Sequence, residues 1–208
     1  VIGTSAESIT GPFEAKLLVC PDACIGDLVS LLNEADEEIL LSLQYLDLDW
    51  SYGWGDNPIV AALEGAAERD VRLRLVINGA YLDEDIQRAV DTFNEEWNFT
   101  RGYDTAAVVM SPGDNVTKLH NKGAIVDGEH VLVSSINWGD SALIRNREMG
   151  VVLSSMAVAS VYHESWMDDW NRLDDTTDSD QDGLFDRWEV RYDLNRSLRS
   201  VTASGISD

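Results

Sequence analysis

The chain has 208 residues, 44% of them hydrophobic, enough for one domain of ordinary size with a sizeable core and a small appendage. With 38 acidic against 15 basic residues its formal net charge is −23, so its overall field repels nucleic acid and anionic lipid at low salt, and any anionic substrate has to be drawn in locally. Its apolar runs are far too short for a membrane span, and a start at Val1 rather than Met points to a processed product or an excised fragment. Two readings of the acidity stay open: a solvated surface, or adaptation to high salt.

In chain order, "EAKLLV" (14–19) reads as a short strand and "IGDLVSLLNEADEE" (25–38) as a helix, with Leu28, Leu31, Leu32 and Ala35 at helical spacing. Between them, Cys20 and Cys24 in "VCPDAC" are too few for a four-ligand zinc site, which leaves a short-loop disulfide or two free thiols. "ILLSLQYL" (39–46) is too apolar for a half-exposed strand and reads as a buried one. A loop with Trp50, Tyr52 and Trp54 follows, and Asn57 then caps a helix whose first turn carries Pro58. "VRLRLVI" (71–77) is a strand, "DEDIQRAVDTFNEEW" (83–97) an amphipathic helix and "AAVVM" (106–110) a strand. This alternation predicts an α/β fold, a mixed and mostly parallel β-sheet sandwiched between helices. After His120 the strands come closely spaced, with a turn at "DGEH" in which Gly128 is free to take positive φ, and a last helix starts at Met156.

The chain has three lysines, Lys16, Lys118 and Lys122, and two of them flank His120 in "KLHNKGAIVDGEHVLVSSINW" (118–138). On a strand, residues two apart share a face, so His120 and Lys122 project together. Asp127, Ser135, Asn137 and Glu148 follow on adjacent segments. Such a set suits attack on a phosphodiester, a stable anion that needs charge neutralisation, a nucleophile and a proton donor. Lys122 supplies a fixed positive charge, Ser135 and Asn137 neutral donors, and the His120 imidazole a nucleophile.

His120-x-Lys122-x4-Asp127, followed by Ser134-Ser135-x-Asn137 and the "NREMGVV" segment (146–152), resembles the signature of the phospholipase D superfamily. Ser134 departs from it, standing where the family usually has Gly and adding a hydroxymethyl group beside the expected phosphate site. The resemblance implies one complete family repeat over residues 1–173, with 174–208 as a separate tail. It implies a covalent phosphohistidine on His120, protonation of the leaving alcohol by a second histidine, Glu148 as the carboxylate orienting His120, and no metal in the chemistry. Asp127 is expected to hold the local architecture or Lys122. Because two such motifs must meet and this chain holds one, a symmetric homodimer with a shared site is expected, or else the second repeat of a longer chain. A non-catalytic half or binding module is the contrasting class.

The substrate is a phospholipid or a nucleic acid. Trp50, Tyr52 and Trp54 suit a lipid interface or base stacking, and equally plain packing. The charge disfavours a long DNA track, whereas a single repeat resembles the small homodimeric nucleases of the superfamily.

A second motif closes the chain. "DSDQDGLFDRWE" (178–189) fits a calcium loop at every position, with Asp178, Asp180, Asp182, the Leu184 carbonyl, Asp186 and bidentate Glu189 as ligands and Gly183 at the sharp turn. It resembles the loops of thrombospondin type 3 and dockerin-like repeats, which implies structural Ca²⁺ and an extracellular or cell-surface location. The expected outcome is that Ca²⁺ raises the melting temperature by mass action, while EDTA and Asp178→Ala lower it without stopping turnover at low temperature. Scanning calorimetry alongside a phosphodiesterase assay checks this, and loss of turnover in EDTA while the protein stays folded would put a metal in the chemistry.

Overall fold

The computed structural model describes residues 8–50, 57–80, 84–110 and 117–171. Seven strands form one sheet: β1 (Glu14–Val19), β2 (Glu38–Leu43), β3 (Arg72–Asn78), β4 (Thr105–Met110), β5 (Lys122–Val126), β6 (His130–Ser134) and β7 (Met149–Ser154). Their order across the sheet is β1-β7-β6-β5-β2-β3-β4. The helices are α1 (Cys24–Asn33), α2 (Pro58–Ala67), α3 (Glu84–Asp91), which runs on into a π-helical segment Thr92–Thr100, the short α4 (Asp140–Ile144) and α5 (Met156–Trp170).

The α/β architecture is as expected, but the sheet is mixed rather than mostly parallel. Only β2–β3 and β3–β4 are parallel. The pairs β2–β5, β5–β6, β6–β7 and β7–β1 are antiparallel. The parallel neighbours are joined by crossovers long enough for a helix, which α2 and α3 supply, whereas β5 and β6, joined by a tight turn, can only return antiparallel; the other antiparallel pairs follow from β5 inserting beside β2. Only Asp127, Gly128 and Glu129 join β5 to β6. Asp127 (φ 52°) and Gly128 (φ 61°) both lie in the left-handed region, as the primed hairpin turns require.

Each face of the sheet buries its own core. Leu28, Leu32, Ile59, Leu63, Phe93 and Trp97, from α1, α2 and the π-helical segment, pack on one face with Leu41, Leu43, Leu73 and Leu75. On the other, α5 lays Ala159 and Trp166 over Leu40, Val76, Val108 and Ile125, and Trp166 Nε1 donates to the Leu41 carbonyl at 2.9 Å. Asn57 caps α2 as its sequence predicts, accepting from the Ile59 N–H at 2.9 Å. Cys20 and Cys24 are joined as a disulfide that ties the end of β1 to the start of α1. The Cys20 N–H donates to the Glu148 carbonyl at 3.0 Å, so this staple also fixes the approach to β7.

Asp127 does not join Lys122. It stands at the opposite end of β5, where its carboxylate accepts the N–H groups of Asp36, Glu37 and Glu38, each at 2.9 Å. Burial pushes its carboxyl up, but these three donors, with His130 nearby, outweigh that and hold it below the usual carboxylate range. A carboxyl lowered in the folded state stabilises the fold above its ordinary value, and that contribution is lost as pH falls through the lowered one. Asp127→Ala should therefore cost roughly 1.5–3 kcal/mol at neutral pH, the range for hydrogen bonds to a charged group. Urea unfolding at neutral pH and near pH 3 checks this, and the wild-type advantage should shrink in acid.

Candidate active site

The site occupies the sheet end at which β2 and β3 finish and β5 begins. Lys122 is the first residue of β5 and pairs with Leu43 at the end of β2. Its side chain is buried, at 7% exposure. Its ammonium donates to the Gln44 side-chain oxygen at 2.6 Å and to the His120 carbonyl at 2.8 Å, and it meets His120 Nδ1 at 3.1 Å. His120 itself is exposed. An ammonium on Nδ1 makes that nitrogen an acceptor, so the proton of the neutral ring sits on Nε2, on the side away from Lys122. The charge of Lys122, then burial, then the charge of Lys118 lower the His120 pKa from the ordinary imidazole value. Burial and Lys118 lower that of Lys122, against the opposing pull of Glu148.

A second cluster lies where β6 ends and β7 begins. Ser135 donates its hydroxyl proton to Glu148 Oε2 and accepts from the Met149 N–H at 3.2 Å. Asn146 donates to Glu148 Oε1 at 3.3 Å. The charge of Glu148 acts on the Lys122 ammonium, yet the hydrogen bonds of its carboxylate among the described residues go to Ser135 and Asn146, not to His120 as the sequence resemblance implied. Asn137 is half-buried, and its side-chain oxygen has no hydrogen-bond partner among the described residues. Ser134 turns inward: its hydroxyl donates to the Lys122 carbonyl at 2.7 Å and accepts from the Ile136 N–H at 3.3 Å. These bonds join β6 to β5, and Ser134 also lines the cavity beside His120 and Lys122.

The structure therefore brings His120 and Lys122 together, gathers Ser135 and Glu148 in a second cluster whose charge reaches Lys122, and removes Asp127 to the far end of β5. Trp50 is half-buried against the larger core, as packing would have it. Tyr52 and Trp54, like the calcium ligands Asp178, Asp180, Asp182, Leu184, Asp186 and Glu189, lie outside the described residues.

Two amides escaped sequence reasoning. Gln44, at 7% exposure, holds the Lys122 ammonium. Asn78, at 0% exposure, accepts the Leu119 N–H at 3.1 Å and so fixes the residue next to His120. Each is a polar residue ending a mostly apolar strand run, "LLSLQ" and "LRLVIN", and that was the available signal. A cavity of about 430 Å³ opens beside His120 on the α5 face, with Ser42, Asn121 and Tyr162 among its walls and Trp166 at the back.

Residues 28–170 match the model of the family described as "Cardiolipin synthase, PLD-like domain". The chain belongs to this family. Among curated relatives, "Phospholipase D" of Rickettsia prowazekii (strain Madrid E) is 25% identical over 146 residues, 70% of this chain and 62% of its own length. The homologue from Rickettsia typhi (strain ATCC VR-144 / Wilmington) is 24% identical over the same shares. The chain thus spans somewhat under two thirds of the length of these relatives. Among solved structures, the fold is similar to that of Nuc from Salmonella typhimurium, a phospholipase D family member (TM-score 0.61, 21% identity, 77% of this chain and 96% of that one). It is also similar to NucT from Helicobacter pylori (TM-score 0.59, 16% identity, 76% and 95%). Phosphatidylserine synthase of Haemophilus influenzae Rd KW20 shares the fold as well (TM-score 0.56, 13% identity), but this chain covers only 40% of it.

Because positive charge from Lys122 and Lys118 surrounds the His120 ring, the ring should titrate below the usual imidazole value of 6.5. An NMR titration should show this, and Lys118→Met should move the midpoint up towards that value.

Proposed function

We propose that the chain hydrolyses phosphodiesters by phospholipase D-like chemistry, with phospholipid as substrate class and a site shared between two copies. The observation that carries this is the Lys122 ammonium bound to both the carbonyl and the ring of an exposed His120. The ammonium balances nonbridging phosphate oxygens while an imidazole nitrogen attacks phosphorus. A nitrogen–phosphorus bond forms as the bond to the leaving alcohol breaks, and water then cleaves the phosphohistidine.

The attacking ring needs a free Nε2, whereas a ring whose Nδ1 accepts from Lys122 carries its proton on Nε2 and suits the role of acid. Two copies of His120 would divide these roles, one attacking and the other protonating the leaving oxygen. A second copy would also bring its own Glu148 to the shared site. The span of the chain supports this reading, since it matches nearly the whole of Nuc and NucT but less than half of the phosphatidylserine synthase. The cavity beside His120 leaves room for part of the alcohol.

A second reading, nucleic-acid hydrolysis, is favoured by the same single-repeat span. Parallel assays on phosphatidylcholine vesicles and plasmid DNA across a salt range separate the two. Calcium bound by residues 178–189 and an extracellular setting remain part of the proposal.

His120→Ala should abolish turnover of an aryl phosphodiester with the fold intact, and retention of more than a small fraction of activity would sink the phosphohistidine step. Lys122→Ala should cost about 3 kcal/mol or more of transition-state stabilisation. Specific activity should fall on dilution as copies separate, and a fully active monomer would refute the shared site.

A further inference from the structure

Lys122 has three N–H donors and no acceptor. Two of them end on oxygens, Gln44 Oε1 at 2.6 Å and the His120 carbonyl at 2.8 Å, which leaves the third aimed at the ring at 3.1 Å. An ammonium cannot accept, so Gln44 must present its oxygen here rather than its amide nitrogen. Gln44 is itself held firmly: it is buried, it stands directly after β2, and its own N–H donates to the Asn121 carbonyl at 3.0 Å.

We propose that Gln44 is the positioning residue of the phosphate site, aiming the Lys122 ammonium with a neutral oxygen so that its whole charge is left for the substrate. This rests on the reading of His120 and Lys122 as a phosphate site. A carboxylate at position 44 would reach the same ammonium and tether it at least as well. It would also cancel the charge and place a negative group beside the incoming anion. Tethering alone is thus served by Gln or Glu, and attraction of phosphate by Gln only. The third donor, held by the longest of the three contacts, is the one a phosphate oxygen can take over. That exchange would release Nδ1 of His120 to carry the ring proton, as attack through Nε2 demands.

Two variants of the full chain separate these functions, read by calorimetric binding of inorganic phosphate and by NMR titration of His120. Gln44→Glu keeps the tether and removes the net charge. It should retain thermal stability, bind phosphate roughly tenfold more weakly or worse, as a nearby opposite charge in a half-buried site dictates, and raise the His120 pKa. Gln44→Met keeps the approximate volume and removes the tether. It should lose stability and bind phosphate several-fold more weakly, with the loss of kcat/KM on an aryl phosphodiester carried mainly by KM. A folded Gln44→Glu protein with wild-type phosphate affinity and an unshifted His120 overturns the proposal. Should that variant fail to fold, wild-type affinity in Gln44→Met overturns it instead. Lys122→Met is the control: if it binds phosphate like the wild type, the phosphate-site reading itself falls, not only the role of Gln44.

Discussion

A lysine side chain buried at the end of a sheet has to satisfy three donors or leave a charge unpaired in low dielectric, at a cost of several kcal/mol. That requirement organises this end of the molecule. Lys122 can open β5 only because β2 finishes next to it and continues into Gln44, and because the residues before β5 fold back so that the His120 carbonyl lies over the same ammonium. Each of these elements is fixed in turn by its neighbour. Asn78 at the end of β3 holds the Leu119 N–H, Asn121 joins the Gln44 backbone, and Ser134 on β6 closes on the Lys122 carbonyl. Groups from four adjacent strands, β3-β2-β5-β6, thus brace the segment that carries Lys122 and the exposed His120.

The opposite end of β5 shows how the same strand is secured without chemistry. Asp127 combines two constraints, a left-handed backbone in the turn and a carboxylate that gathers the N–H groups leading into β2. It therefore fixes the register of β5 against β2, and through that register the pairing of Lys122 with Leu43. An aspartate five residues from the lysine thus bears on the site from a distance, by setting the register in which β5 meets β2.

Much of this was legible in the sequence. The strand and helix order, the Asn57 cap and the hairpin turn at Gly128 came from periodicity and turn chemistry, and the His120–Lys122 pair from spacing on one face. Strand direction was harder to read, because the first half alternates strand with helix and its pattern dominates, while the antiparallel return depends on where β5 inserts. Side-chain partners were harder still. Glu148 lies on the right strand, but its hydrogen bonds run to Ser135 and Asn146, and Ser134 faces the β5 backbone. Gln44 ends a buried run as an ordinary polar residue, and only the pairing of β2 with β5 shows that it meets a lysine 78 positions on. Motif spacing reports which residues share a segment, whereas hydrogen-bond partners depend on which segments become neighbours.

The same geometry reconciles a formal charge of −23 with an anion site. Charges farther apart than about 8 Å are largely screened at physiological salt, so most of the acidic surface does not reach the pocket. What a phosphate at the proposed site would sense is its close surroundings: Lys122, Lys118, and Glu148 as the opposing charge. A neutral amide rather than a carboxylate on Lys122 keeps that local sum positive. Glu148, already occupied by two neutral donors, adds negative charge without forming an ion pair with the lysine. The sign of the site is therefore set within one layer of side chains around a single ammonium, and the remainder of the surface is free to be acidic.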